Sequence, residues 1–262
     1  MTLQLLISCM HQKDASIVQR SNIQSDCIIV NQCDEDKIEE LQMISDKGKP
    51  FNVKMIYTTE RGLSKSRNMA LRNATADICL ICDDDETFED GYEQIILDSY
   101  RNNPNADIIT FKINCSGKSY KQYSYKLGRF TCAGISSWQI SFRREKQLAN
   151  NVWFDEKMGS GTGNGPGEES KFMYQMICRG AKAIFVPKLI SSVAQTESQW
   201  FHGYTKKYFI DRGWISKRIF GLFYGYLYMW YHNVRRFNIY KNSMSFWNIT
   251  RYTHQGFFTE KR

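Results

Sequence analysis

The chain has 262 residues, with 35 Lys and Arg against 27 Asp and Glu, 42% hydrophobic residues, 17 Gly and 4 Pro. These values exclude a disordered tail protein, a collagen-like repeat and a minimal disulfide scaffold, and they allow one large domain with a substantial core. Residues 1–199 have a net charge of −1, whereas residues 200–262 contain 11 basic and 2 acidic residues and 20 of the 37 aromatic residues. We therefore expect a globular domain over 1–199 followed by a basic, aromatic, helical extension over 200–262.

Short apolar runs alternate with polar segments over the first 113 residues. The apolar runs predict strands at 3–10, 26–32, 53–59, 76–82 and 106–113. The segments KIEELQMIS (37–45) and SKSRNMALRNAT (64–75) predict helices between them. This βα alternation predicts a mostly parallel sheet covered by helices, with ligands at the carboxyl ends of the strands.

In the second half of this domain, the sequence patterns that predict secondary structure are weaker. Residues 114–150 give no clear elements, and SYKQYSYKLGRF (119–130) is compatible with an exposed hairpin or a loop. Residues 159–168, GSGTGNGPGE, contain five Gly and one Pro and predict a flexible loop. A helix is expected after the loop, ending at Gly180, and AKAIFVP (181–187) predicts a further strand.

Eight cysteines could indicate disulfides or zinc, but most of them lie in apolar runs, where Cys behaves as a small hydrophobic residue. Cys79 and Cys82 have CxxC spacing, yet no second CxxC or His pair completes four ligands, so we do not expect zinc. The N-terminal residues have neither a basic segment nor a cleavage site of a secretory signal. A reducing cytoplasm is the expected compartment.

Residues 219–234, IFGLFYGYLYMWYHNV, form a run without charge between two pairs of basic residues. The run has 16 residues, fewer than the roughly 20 that a membrane-spanning helix needs. Its aromatic content and flanking cations fit a helix lying in a membrane interface, and its length also fits a helix packed on the core.

Four consecutive acids, Asp83 to Glu86, follow the strand at 76–82. Their repulsion would be relieved by a divalent cation, and carboxylates suit Mg²⁺ or Mn²⁺ held together with substrate phosphate oxygens. A solvated acidic turn is the simpler alternative. Upstream, Gly62 can form a tight turn, Ser64 can cap the next helix, and Arg67 lies about one turn further, which favours an anion such as a diphosphate.

Residues 62–85 resemble those of glycosyltransferase family 2, inverting enzymes of the GT-A fold that use nucleotide sugars. The matching residues, in the family's order and spacing, are Gly62, Ser64, Arg67, Asn68, Ala74 and Asp83 to Asp85. The resemblance covers about residues 3–195. It implies a Rossmann-like, mostly parallel α/β sheet with a nucleotide-binding part over about 1–113 and an acceptor-side part over about 114–199.

The resemblance also implies roles for individual residues. Ser8 and Asn31, at the ends of the first two strands, would lie near the nucleotide base, although Asn31 replaces the usual Asp. Asp83 would contact the ribose or the metal, Asp84 would assist, and Asp85 would be the principal ligand of Mn²⁺ or Mg²⁺. Gly62, Ser64 and Arg67 belong to the same nucleotide-sugar site, as the family's motif implies.

An acidic pair after the glycine-rich loop is the family's second landmark. It corresponds here to Gly167, Glu168 and Glu169 on the acceptor side, and it implies that Glu169 is the general base. Two ordinary acids in the first turn of a helix are the alternative interpretation. Family members often supply a metal-binding His further on, but His202 is the first His available, and we do not assign it as a ligand.

The leading hypothesis is an inverting glycosyltransferase that transfers a sugar from a nucleotide-diphosphate sugar to a hydroxyl of a lipid-linked glycan acceptor in surface polysaccharide synthesis. The basic aromatic extension would hold it on the anionic inner face of the cell membrane.

A nucleotidyltransferase acting on a sugar phosphate is one alternative, but SCMHQKDAS (8–16) lacks the glycine-rich loop that it needs. A nucleic-acid-binding protein is another, but it leaves both acidic motifs unexplained, and we expect no nucleic acid partner.

Overall fold

A ten-stranded mixed sheet organises the first three quarters of the protein. The computed structural model describes residues 1–193 and 203–260. The strands are β1 (Leu3–Met10), β2 (Cys27–Gln32), β3 (Lys37–Ile44), β4 (Pro50–Thr58), β5 (Ile78–Asp83), β6 (Glu86–Phe88), β7 (Ile108–Asn114), β8 (Tyr125–Leu127), β9 (Ile140–Arg143) and β10 (Ala183–Val193). The α-helices are α1 (Ile17–Arg20), α2 (Leu63–Asn73), α3 (Tyr92–Asn102), α4 (Arg144–Ala149), α5 (Glu168–Cys178), α6 (Lys206–Tyr240) and α7 (Phe246–Phe258).

The strand order across the sheet is β3-β4-β2-β1-β5-β9-β7-β10-β6, and β8 pairs with β10. Strands β4, β2, β1 and β5 are parallel neighbours, so their carboxyl ends meet at one edge. In this register Cys9 lies opposite Asn31, and Ser8 lies opposite Asp83. The predicted α/β fold with a mostly parallel core and a C-terminal helical segment is confirmed.

Residues 37–45 do not form the predicted helix. They form β3, an antiparallel edge strand beside β4. The periodic pattern of this polar segment suggested a helix, but pairing with β4 determines the outcome. Two contacts between β3 and β4 favour the strand: Lys37 lies over the ring of Tyr57, and Lys54 pairs with Glu40. Lys37 also pairs with Glu39 on its own strand.

Two apolar layers cover the two faces of the sheet. One contains side chains of α3, including Ile96 and Tyr100, and the other contains side chains of α2 and α5, including Leu71 and Phe172. Cys79 belongs to the second layer and Cys82 to the first, so the two thiols point to opposite faces of β5. All eight cysteines lie in the described residues and are free thiols, and six of them are buried.

Helix α6 reverses direction in its middle. Gly221 has φ of +76° and ψ of −172°, which no helix allows. Residues 206–220 and 222–240 therefore pack side by side, with the Tyr208 and Tyr240 hydroxyls 3.4 Å apart and the Phe220 and Tyr228 rings 4.5 Å apart. The uncharged run 219–234 is thus not one continuous helix, because it is interrupted at Gly221. In the part of the chain that the structure describes, no helix has the length and hydropathy needed to cross a bilayer.

The C-terminal helices also pack on the sheet domain. Trp214, Ile215 and Ile219 of α6 form an apolar cluster with Met158, which lies in the segment before α5. Arg218 donates two hydrogen bonds, of 2.5 and 2.9 Å, to the carboxylate of Asp155, and Lys171 of α5 pairs with the same carboxylate. The helices are therefore attached to the segment that leads into α5.

Substitution of Gly213 by Ala should destabilise the docking of α7. A Cβ atom at Gly213 would overlap the carbonyl oxygen of Thr253 and lie 2.8 Å from the backbone nitrogen of Phe257. Overpacking of this kind typically costs about 1–3 kcal/mol. We expect a lower midpoint of urea unfolding for Gly213→Ala, and little change for Gly134→Ala, where no atom lies within 4 Å of the added carbon. Equal midpoints for the two variants would contradict the described packing.

Candidate active site

One buried arginine connects the elements at the carboxyl edge of the sheet. Arg67 lies one turn inside α2 and is 1% exposed. Its Nη2 donates to Asp83 Oδ1 at 2.9 Å, and its Nη1 donates to Glu168 Oε1 at 3.0 Å and to Glu169 Oε1 at 3.1 Å. Burial alone would lower the pKa of Arg67, but the charges of Asp83, Glu169 and Glu168 outweigh it and raise the pKa. The arginine therefore stays cationic and holds three carboxylates together.

Asp83 is the last residue of β5, and both of its carboxylate oxygens are occupied. Oδ1 accepts from Arg67, and Oδ2 accepts a hydrogen bond of 2.7 Å from the hydroxyl of Ser137. Ser137 begins a short 3₁₀ helix, Ser137–Gln139, between β8 and β9. The side chain of Asp83 is 25% exposed, so it is fixed in orientation while one side remains open to a ligand.

Glu168 and Glu169 open α5 and differ in their surroundings. Glu168 is 2% exposed, and its Oε2 accepts from the backbone N–H of Gly167 at 2.9 Å. Glu169 is 18% exposed, so it is less buried than Glu168. Burial and the charge of Glu168 raise the pKa of Glu169 to about 7, against the opposing charge of Arg67. A carboxylate with this pKa is suited to accept a proton near neutral pH.

The start of α2 contacts the glycine-rich loop. Gly62 has φ of +125°, its N–H donates to Gln32 Oε1 at 2.7 Å, and the N–H of Leu63 donates to the carbonyl of Ser160 at 3.0 Å. The predicted helix cap by Ser64 is wrong, because the cap residue is Gly62 and the Ser64 hydroxyl donates to the carbonyl of Met158. These residues attach the loop to α2, and they do so mainly through backbone groups.

Ser8 and Asn31 lie at the predicted edge of the sheet, and both are buried. The Ser8 hydroxyl bonds to the Ser66 hydroxyl at 2.8 Å. The Asn31 amide donates to the carbonyl of Gln12 and accepts from the N–H of the same residue. Asn31 therefore shapes the loop after β1, and its own polar atoms are already paired.

The four consecutive acids do not act as one group. Asp84 and Asp85 are exposed, whereas Glu86 is 2% exposed and accepts from the Asp83 N–H and from the Ser191 hydroxyl. Partial desolvation of their carboxyl groups and the charge of Asp83 raise the pKa of Asp84 and of Asp85. Glu86 thus supports the turn, and Asp84 and Asp85 are the carboxylates that a ligand can reach.

The same arrangement limits how a metal ion could bind. Within residues 1–193 and 203–260, no three His, Cys, Asp or Glu side chains converge closely enough to hold an ion alone. Two exposed carboxylates beside Asp83 fit an Mg²⁺ or Mn²⁺ site that is completed by phosphate oxygens of a ligand. His202 lies outside the described residues.

Two contributors to this site were absent from the sequence prediction. Ser137 comes from a region without clear predicted elements, and no spacing in the sequence relates it to Asp83. Gln32 ends β2 directly after Asn31, and its position at a strand end is a signal that could have identified it. Arg67 was expected to face a diphosphate, whereas its guanidinium binds the site's own carboxylates.

The comparison with known proteins identifies the family. The profile described as Glycosyl transferase family 2 matches residues 13–163, more than half of the chain. The chain belongs to glycosyl transferase family 2. It is therefore a glycosyltransferase, as the resemblance implied.

Solved structures show a similar fold at low sequence identity. S. aureus TarS 1–349 in complex with UDP-GlcNAc has a TM-score of 0.62 and 14% identity, over 94% of this chain and 76% of that chain. TarS 1–349 alone has a TM-score of 0.61 and 13% identity, over 98% and 81% of the two chains. TarS 1–349 with UDP has a TM-score of 0.60 and 14% identity, over 94% and 76%. No curated protein sequence matches the chain.

The family match includes Asp83 to Asp85 but ends before Glu168 and Glu169. The acidic pair is linked to the matched part through Arg67, which lies inside it and bonds to both glutamates. This contact connects the acidic pair to the acidic residues at the end of β5.

Removal of the Arg67 charge should be costly for folding. Arg67→Met leaves the buried Glu168 carboxylate without its cation, and the loss of one partner from a buried ion pair typically costs about 3–5 kcal/mol. Arg101→Met removes the exposed Arg101–Asp98 pair of α3 and should change the unfolding midpoint little, because exposed ion pairs are screened by solvent. Guanidinium chloride unfolding of both variants measures the difference, and similar midpoints would exclude a structural role for Arg67.

Proposed function

We propose that this glycosyltransferase is metal-dependent and inverting, and that it transfers a sugar from a nucleotide-diphosphate sugar to a hydroxyl of a lipid-linked glycan. The observation that carries this proposal is the Arg67 cluster, which brings a proton-accepting glutamate, Glu169, to the acidic motif at the end of β5. The structures of S. aureus TarS with UDP-GlcNAc and with UDP support a nucleotide sugar as the donor.

The donor would lie along the carboxyl ends of β1, β2 and β5, where parallel α/β sheets bind their ligands. Asp83, which is oriented by Arg67 and Ser137, would contact the ribose or the metal ion at this edge. Asp85, with Asp83, would hold Mn²⁺ or Mg²⁺, which as a Lewis acid offsets charge on the departing diphosphate. Gly62 and Ser64 fix the loop that borders the donor.

Glu169 would accept the proton of the acceptor hydroxyl. The hydroxyl oxygen forms a bond to the anomeric carbon, and the bond from that carbon to the phosphate oxygen breaks. The nucleoside diphosphate leaves with the bonding electron pair, and the single displacement inverts the anomeric configuration. Arg67 is a positioning residue in this step, because it orients Glu169 and Asp83 without facing solvent.

Glu169→Gln and Asp85→Asn should separate the role of proton acceptor from the role of metal ligand. Loss of the general base should lower kcat by about 10²–10⁴-fold, while binding of the nucleotide sugar with Mn²⁺ is retained. Asp85→Asn should abolish the part of nucleotide-sugar binding that EDTA removes. Thermal shift with a panel of nucleotide sugars and a transfer assay on the full chain measure both effects. Unchanged kcat in Glu169→Gln would refute the assignment of the base.

The pH profile is an independent check on Glu169. A general base works in its ionised form, and the pKa of Glu169 is raised to about 7. Activity should therefore fall about tenfold per pH unit below this value and level off above it. A profile that stays flat from pH 5 to 8 would contradict this role for Glu169.

The C-terminal helices supply the surface that we propose for membrane contact. Leu222, Phe223, Leu227 and Phe258 are 65, 70, 52 and 63% exposed and line one apolar groove. Residues 200–262 have a net charge of +9, which favours an anionic lipid surface. Exposed aromatic side chains next to cations are typical of proteins that bind in the membrane interface.

Phe223→Ser combined with Phe258→Ser should weaken binding to vesicles of anionic phospholipid. The double variant loses apolar contacts but keeps every charge, so co-sedimentation should fall at fixed ionic strength. Ile44→Ser, at a residue of β3 that is 73% exposed, is the matched control. Point variants are preferable to a deletion, because removal of α6 would uncover Met158 and α5. Equal pelleting of the double variant and the control would argue against membrane contact through this groove.

A further inference from the structure

A cavity lies beside the acidic pair, between α5 and α6. It has a volume of about 170 Å³ and is separate from the carboxyl edge of the sheet. Pro166, Gly167 and Ser170 line it on the side of α5, and Arg212, Tyr228 and His232 line it on the side of α6. Gly167 and Ser170 directly flank Glu168 and Glu169 in the sequence. The cavity therefore lies beside the first turn of α5, which carries the proposed base.

The polar groups of this cavity are mostly donors without partners. Arg212 uses its Nε to donate to the Tyr208 hydroxyl at 3.2 Å. Among the described residues, neither Nη of Arg212, nor the hydroxyl of Tyr228, nor the ring of His232 has a hydrogen-bond partner. The hydroxyls of Ser170 and Ser216 already donate to the carbonyls of Ala133 and Arg212. The cavity thus offers several free donors.

The charge of Arg212 is also uncompensated. Arg67 and Arg218 both bind carboxylates, but no Asp or Glu lines this cavity, and Arg212 has no ion pair in the described parts of the chain. Its neighbours are the hydroxyls of Tyr208, Tyr228 and Tyr240. Burial, followed by the positive charges of Arg212 and Arg236, lowers the pKa of His232 to about 4. The surroundings of the cavity are therefore positive.

We propose that this cavity binds an anionic group of the acceptor, a phosphate or a carboxylate, and so positions the acceptor hydroxyl for Glu169. A half-buried guanidinium without a carboxylate partner favours an oxyanion, which can accept hydrogen bonds from both of its Nη groups. The Tyr228 hydroxyl supplies a further donor. The inference rests on the proposed function for the identity of the ligand as an acceptor, but the anion site itself stands on these groups alone.

The test uses the full chain with its histidines labelled with ¹⁵N, in the presence of saturating UDP and Mg²⁺ to occupy the donor site. Methyl phosphate and glucuronate are titrated separately, and the His232 ring signals are followed by NMR. We expect saturable shifts with at least one probe. Arg212→Gln should weaken binding of that probe about tenfold or more, since hydrogen bonds to charged groups are strong. The probe that binds more tightly assigns phosphate or carboxylate.

Two further variants keep the test decisive. Arg235→Gln removes an exposed arginine of the same helix and should leave the titration unchanged. Tyr228→Phe removes only a hydroxyl and should weaken binding a few fold, which covers the case in which Arg212→Gln does not fold. No shift of His232 with either probe, equal effects of the Arg212 and Arg235 variants, or binding only in the absence of UDP would overturn the proposal.

The result of the His232 titration does not depend on the result of the transfer assay. An unchanged kcat in Glu169→Gln would refute the proposed base, while the His232 titration would still report the anion site. If transfer is confirmed and an acceptor is available, Arg212→Gln should raise the KM for the acceptor and leave the KM for the donor unchanged. An equal rise in both would indicate a general structural defect and count against the proposal.

Discussion

The buried guanidinium of Arg67 is the constraint on which the site depends. Three carboxylates from β5 and α5 converge on one cation, which compensates the buried charge of Glu168 and holds Asp83 and Glu169 beside it. The cluster therefore fixes the distance between the acidic motif and the acidic pair. It also leaves more negative than positive charge, which is consistent with the raised pKa of Glu169.

Much of the fold is predictable because strands β1, β2, β4, β5, β7 and β10 are apolar runs with polar ends. The failures come from tertiary contacts. Residues 37–45 have a spacing that suits a helix, but pairing with β4 makes them a strand. The position of Ser64 suits a helix cap, but the adjacent loop offers the carbonyl of Met158, and the hydroxyl bonds there instead. The local sequence pattern of a segment does not show which distant residues it will contact in the folded protein.

The site was predictable in its residues and less so in its contacts. The motifs contain Arg67, Asp83, Glu168 and Glu169, yet the bonds from Arg67 to the two glutamates join residues about a hundred positions apart. The reversal at Gly221 was also hidden, since a glycine in an apolar run is compatible with an uninterrupted helix. The cavity beside α5 exists only because this reversal brings Tyr228 and His232 next to Arg212.

The glycine-rich loop joins the two faces of the site through its backbone. Ser160 accepts from Leu63 at the start of α2, the N–H of Gly159 donates to Gly165, and Pro166 and Gly167 border the cavity. A ligand that shifts the loop beside α2 must also change the free energy of ligand binding in the cavity on the other side of the loop. Linkage then requires reciprocity: any factor by which an occupied cavity alters donor affinity is the factor by which the donor alters affinity for the cavity's ligand.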